Sequence, residues 1–91
     1  MAKLNAGAIA RLRVRFGNRI RQVRTQKNMT QVELSDKSGI CQASISLFEA
    51  GEKEPKLGSV FKLAAGLNVD AGSLLEDPGT DIDGKGRGRF T

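Results

Sequence analysis

Residues 30–51 read TQVELSDKSGICQASISLFEAG, and their order of cap, turn and apolar anchors decides the fold. Thr30 stands before a helical run and Glu33 follows three residues on. That is the reciprocal pattern in which each side chain bonds the other's backbone N–H. It predicts a helix through Lys37 that stops at Gly39, a favoured left-handed position. A second helix is expected from about Gln42 to just before Gly51. From Ser38 to Phe48 there is no charge, in a chain that is 27% charged. At about 100° per residue, Cys41, Ser44, Ile45 and Phe48 share one side of this helix as a core stripe. Gln42, Ala43, Ser46, Leu47 and Ala50 share the other and face solvent. A face of small groups, one amide and one Leu can approach another macromolecule closely without desolvating a charge.

Upstream, Ile9, Leu12, Phe16, Ile20 and Val23 recur at steps of three and four, the spacing of one helix face. Gly17 weakens the middle, so one long helix or two segments are both open. A core helix over 16–26 is favoured, preceded by a loose arm at 1–7 and a basic helical extension at 8–15. Downstream, Pro55 pushes Glu54 out of the helical region. Gly58 or Ser59 opens a fourth helix with Val60, Phe61, Leu63, Ala64 and Leu67 on its apolar face. A short last helix, capped by Asp70, carries Leu74 and Leu75. The remainder, DPGTDIDGKGRGRFT, is rich in Gly and charge and is expected to be disordered.

Ninety-one residues make one small domain with a modest core. The chain has no His, Trp or Tyr and one Cys, which removes the commonest general base and metal ligand. It also excludes an internal disulfide or a cysteine zinc site. No enzyme, metal or cofactor is expected. A single Cys fits a reducing compartment, and no N-terminal apolar run is long enough for a signal peptide or membrane span. The expected location is the cytoplasm. Net charge is +5, and Lys3, Arg11, Arg13, Arg15, Arg19, Arg21, Arg24 and Lys27 all precede the first acid, Glu33. Such a block is either a solvated face or the electrostatic footprint of a nucleic-acid binder.

Two short helices around a Gly turn, with small Ser35 at their crossing and Ile45 and Phe48 as anchors, fit a helix-turn-helix. The stretch FGNRIRQVRTQKNMTQVELSDKSGICQASISLFEAGEKEPKLGSVFKLAAGLNVDAGSLL resembles the phage repressor and Cro family, the XRE-type helix-turn-helix domains. The resemblance covers about residues 16–75 without a gap. It implies an all-α, five-helix, repressor-like domain over 16–76 with the helix-turn-helix at about 31–50. A basic N-terminal extension (1–15) and a flexible tail (77–91) flank it.

In such domains the third helix lies in the major groove with its first exposed residues at base edges. Carried over, these are Gln42, Ala43, Ser46 and Leu47. A Gln amide pairs bidentately with adenine N6 and N7, and Ala43 and Leu47 suit thymine methyls. The resemblance places Gln31 beside a phosphate, where it also braces Gln42, with Ser44, Lys53 and Arg24 as further backbone contacts. The resemblance also pairs Arg24 with Glu49 in a structural salt bridge between the first and third helices. Arg11, Arg13 and Arg15 supply non-specific attraction. Three positions depart from the family: Ala50 lacks the phosphate-reaching Asn of many relatives, Ser38 replaces a buried aliphatic residue, and Cys41 replaces a capping Ser or Thr. A thiol at a helix N-terminus raises the idea of a redox switch, against the plainer reading of a half-buried small residue.

The function implied is sequence-specific binding of double-stranded DNA by a transcriptional regulator, a repressor on a pseudo-palindromic operator. It would act as a homodimer through the last helix (Val69, Ala71, Leu74, Leu75). The rival is an antitoxin-like or accessory module whose main partner is another protein. The tail would then fold on that partner, or serve as a basic arm for a minor groove.

Overall fold

The computed structural model describes residues 5–79. Among these residues there are five helices and no strand: α1 Ala6–Gln26, α2 Gln31–Ser38, α3 Gln42–Glu49, α4 Leu57–Leu67 and α5 Ala71–Leu74. Calls on residues 1–4 and 80–91 lie outside the described residues.

α1 is one helix. Asn5 caps it, its side chain accepting the Ala8 N–H at 2.8 Å, and the helix continues unbroken past residues 15 and 16. The reason lies at Gly17. A Cβ there would collide with the Phe48 carbonyl oxygen and stand 3.0 Å from that of Glu49. Gly17 is thus the notch that seats the end of α3 on α1, and packing outweighs the weak helix propensity of glycine.

α2 carries the full reciprocal cap. The Glu33 N–H donates to Thr30 Oγ1 at 3.0 Å, and the Thr30 N–H donates to Glu33 Oε1 at 2.8 Å. The Thr30 backbone N–H first, and the Thr30 hydroxyl second, hold the Glu33 carboxyl below its ordinary pKa. Gly39 follows at φ 78°, its N–H donating to the Ser35 carbonyl. α3 starts after Cys41, whose side chain makes no cap bond. Asp70 occupies the N-cap position of α5, yet its side chain makes no cap bond either.

The core gathers Ile20 and Val23 of α1, Leu34 of α2, Ile45 and Phe48 of α3, and Leu63, Leu67 and Leu74 from the last two helices. Phe16 meets Phe48 edge-on, ring centroids 6.3 Å apart. α4 buries Val60, Leu63, Ala64 and Leu67, one stripe at helical spacing. Phe61 lies about 100° off that stripe and is exposed, contrary to its expected place on the apolar face. Ile9 and Leu12 are likewise only partly covered. Ser38 is buried where α2 crosses α4. A Cβ on Gly66 would come within 3.0 Å of the Ser38 nitrogen, so a small residue at 38 suits the crossing. Its hydroxyl is satisfied by the Ile40 N–H at 3.1 Å.

Arg19 is fully buried, a feature that charge counting missed. Its Nε donates to the Ser73 carbonyl at 2.7 Å, Nη2 to Ser73 Oγ at 3.1 Å, and Nη1 to Gln22 Oε1 at 2.8 Å. Glu76 stands 3.8 Å away. A guanidinium this deep survives because its donors are met, and it ties α5 to α1. The chain then turns back along α1, Asp77 pairing with Arg15 at 3.1 Å and the Gly79 N–H donating to Gln22 Oε1 at 2.9 Å. Residues 77–79 of the expected tail are therefore in contact with α1.

Candidate nucleic-acid interface

α3 presents Gln42, Ala43, Ser46, Leu47 and Ala50 to solvent, while Ile45, Phe48 and Glu49 point inward. The exposed face has no charge. Its helix is about 12 Å long at 1.5 Å per residue, comparable with a major groove about 12 Å wide. Cys41 is exposed rather than half-buried, because it sits at the cap and not within the helical stripe.

Beneath that face is a knot of ions. Arg24 Nε donates to Glu49 Oε2 at 2.7 Å and Nη2 to Oε1 at 2.9 Å, while Nη1 donates to the Met29 carbonyl at 2.8 Å. The Glu49 side chain is 3% exposed. Donation to the Glu49 carboxylate holds the Arg24 guanidinium above its ordinary pKa, against the opposing effect of burial. Gln31 Nε2 donates to the same Glu49 Oε1 at 3.1 Å. The expected brace from Gln31 to Gln42 is therefore not formed. A buried carboxylate is the stronger acceptor for that amide. The two glutamines nevertheless border one shallow depression, with Arg24, Thr30 and Val32. Arg21, which sequence reading passed over as a site residue, stands exposed at 3.8 Å from Glu49.

At the other edge, Lys53 Nζ donates to Ser44 Oγ at 3.0 Å and lies 5.6 Å from the Phe48 ring centroid. Cys41 Sγ is 3.3 Å from the same hydroxyl. Ser44, through its side chain first and then its backbone, holds the Cys41 thiol below its ordinary pKa, and the Lys53 charge helps. Only the thiolate attacks an alkylating reagent. Alkylation of Cys41 is expected to reach half its maximal rate at lower pH than for a free cysteine, with Ser44→Ala moving that midpoint upward. Superimposable pH profiles for the two proteins would remove this account.

The three N-terminal arginines do not form one cluster. Arg11 and Arg15 share a face of α1 four residues apart, whereas Arg13 is rotated about 160° from Arg11. Arg15 is paired with Asp77. They lie nine to thirteen residues before Arg24, about 14 to 20 Å along the helix axis. Of the expected dimer residues, Leu74 is fully buried in the chain's own core and Val69 and Ala71 pack against that core. Leu74 is thus not a surface residue. Leu75 is 59% exposed. Among the described residues no group of His, Cys, Asp or Glu could hold a metal ion, and no helix is long and apolar enough to cross a membrane.

Comparison with known proteins gives the same picture. The helix-turn-helix family model HTH_3 matches residues 20–74. The chain is 33% identical over 70 residues to the cryptic phage CTXphi transcriptional repressor RstR of Vibrio cholerae. It is 32% identical over 68 residues to the SPbeta prophage-derived HTH-type transcriptional regulator YonR of Bacillus subtilis. These matches cover 77% and 75% of this chain and 63% of each relative, so it spans less than two thirds of their length. The restriction-modification controller protein C.AhdI of Aeromonas hydrophila superposes with a TM-score of 0.67 at 32% identity, over 68% of this chain and 94% of that one. A hypothetical transcription factor, NHTF, from Neisseria gives a TM-score of 0.71 at 26% identity over 100% and 95%. With its α2–turn–α3 unit inside the matched stretch, the chain belongs to the XRE-type helix-turn-helix family of DNA-binding transcription regulators, a family of binders and not of enzymes.

Proposed function

We propose that the chain represses transcription by binding a pseudo-palindromic operator as a homodimer, each copy laying α3 in the major groove. The observation that carries this is the uncharged outer face of α3, held at fixed orientation by the Arg24–Glu49 pair and the Gly17 notch. One such helix reads only a few base pairs, so useful specificity needs two half-sites about one helical turn apart. The name of the Vibrio relative, a phage repressor, supports repression over activation.

In this reading Gln42 reads adenine, Ala43 and Leu47 contact thymine methyls, and Ser46 meets a neighbouring base edge. Gln31, Ser44 and Lys53 hold phosphates. Arg24, with three of its five N–H groups already engaged, adds charge near the backbone and keeps its structural task. Arg11, Arg13 and Arg15 add a long-range positive field, with a smaller share from Arg15 because Asp77 neutralises it.

Selection of bound duplexes from random DNA tests the whole reading, since it reports sequence, half-site spacing and symmetry together. Recovery of no preferred sequence would overturn it. On the selected operator, Gln42→Ala is expected to remove about 1–3 kcal/mol of discrimination while leaving weak salt-dependent binding in place. Equal loss on operator and random DNA, measured by fluorescence anisotropy, would strip Gln42 of its readout role.

A further inference from the structure

The outer face of α3 carries two parallel lines of exposed side chains. Gln42 and Ser46 stand one turn apart on the first, Ala43 and Leu47 one turn apart on the second. Each line is about 6 Å long at 1.5 Å per residue. The first can donate and accept hydrogen bonds. The second can do neither, yet Leu47 leaves 39% of its surface in water. In the major groove the one apolar group that an unmodified base pair offers is the thymine C5-methyl, which sits beside the O4 acceptor. A cytosine methylated at C5 presents the same group beside its N4 donor. A leucine bonds to neither O4 nor N4, so it registers the methyl and not the base.

No cation for guanine stands on this face. The commonest specific contact to guanine is Arg or Lys bidentate on O6 and N7, and the outer face of α3 has neither residue. Of the cations around it, Arg24 has three N–H groups on Glu49 and the Met29 carbonyl. Arg21 stands 3.8 Å from the same carboxylate, and Lys53 donates to Ser44 Oγ.

We propose that methylation of cytosine at C5 regulates binding of this protein to its operator. Leu47 accepts 5-methylcytosine in the place of thymine, so a G·C pair that gives the apolar line nothing becomes a contact once its cytosine carries the methyl. The inference rests on the major-groove reading of α3 above. It goes beyond that reading because the group recognised is one that modification of the DNA can add. Gln42 does not tolerate the same exchange, since replacing A·T by G·C there turns the N6 donor into the O6 acceptor. Methyl reading and base reading thus lie on different lines of one helix.

Each thymine of the sequence selected from random DNA is first replaced by uracil, which lacks only the methyl. The position where Leu47→Ala erases the difference is the one that Leu47 faces. Fluorescence anisotropy then compares thymine, uracil, cytosine and 5-methylcytosine at that position. Thymine and 5-methylcytosine are expected to bind alike, with uracil and cytosine each weaker by about fourfold per half-site, the effect of one buried methyl group. Leu47 is exposed, so Leu47→Ala should keep the helical circular dichroism while binding all four duplexes alike. Gln42→Ala should weaken all four together and keep the gap between them. Uracil tolerated at every thymine, 5-methylcytosine as weak as cytosine, or a gap that survives Leu47→Ala would each overturn the inference and leave the regulator reading standing. A chain that selects no preferred duplex removes the regulator reading, and this inference with it.

Discussion

Replacing Glu49 by alanine is expected to cost the domain about 3 kcal/mol or more, the range found when one partner of a buried ion pair is deleted. Glu49 accepts from two guanidinium nitrogens of Arg24 and from the Gln31 amide, and Arg21 stands near by. Its loss leaves Arg24, whose side chain is 12% exposed, without a carboxylate. In a domain of this size such a change lowers the melting temperature by roughly 12 °C or more, at about 4–8 °C per kcal/mol. The double replacement Arg24→Met with Glu49→Leu is expected to be clearly less harmful, since it removes the stranded charge along with its partner. Urea titration of the single and double variants checks this. A single-variant loss well under 1 kcal/mol would mean that the pair behaves like an exposed one.

Gly17→Ala is expected to destabilise by about 1–3 kcal/mol, the usual cost of forcing extra volume into a packed contact. Helix propensity alone predicts the opposite sign, a gain of about 1 kcal/mol. Packing wins because the added carbon strikes the carbonyls of Phe48 and Glu49, which are backbone atoms at the end of α3 and have no rotamer to give. α3 must shift, so operator affinity should fall together with stability. Gly58→Ala is the control, since a Cβ there meets nothing within 4 Å, and it should stabilise by about 0.4–1 kcal/mol. Thermal melts of both variants decide the matter. A Gly17→Ala protein more stable than its parent would show that α1 and α3 do not approach as closely as described.

Several parts of the interface were legible in the residues alone, all of them local. Thr30 and Glu33 bond within one turn, Gly39 solves a backbone problem at its own position, and the outer face of α3 follows from angular spacing over ten residues. Arg24 with Glu49 came from family likeness, because nothing in the spacing links residues 25 apart. The brace from Gln31 to Gln42 likewise comes from family likeness, and only the structure shows the carboxylate that competes for the Gln31 amide. Arg19 was counted as surface charge, although its place among Phe16, Ile20 and Val23 on one stripe was a signal that it faces inward.

The sequence by itself determined the capped start and the stop of α2, the turn at Gly39 and which face of α3 lacks charge, because these depend on neighbours within a few residues. Only the tertiary structure decided that Arg19 is buried against Ser73, that Gly17 is a notch for α3, and that Phe61 and Leu75 face outward while Leu74 faces in. Each of those outcomes depends on an atom brought from elsewhere in the chain, as Ser73 is from 54 residues away. Helical periodicity specifies an apolar stripe, but its edges are set by whichever helix packs against it.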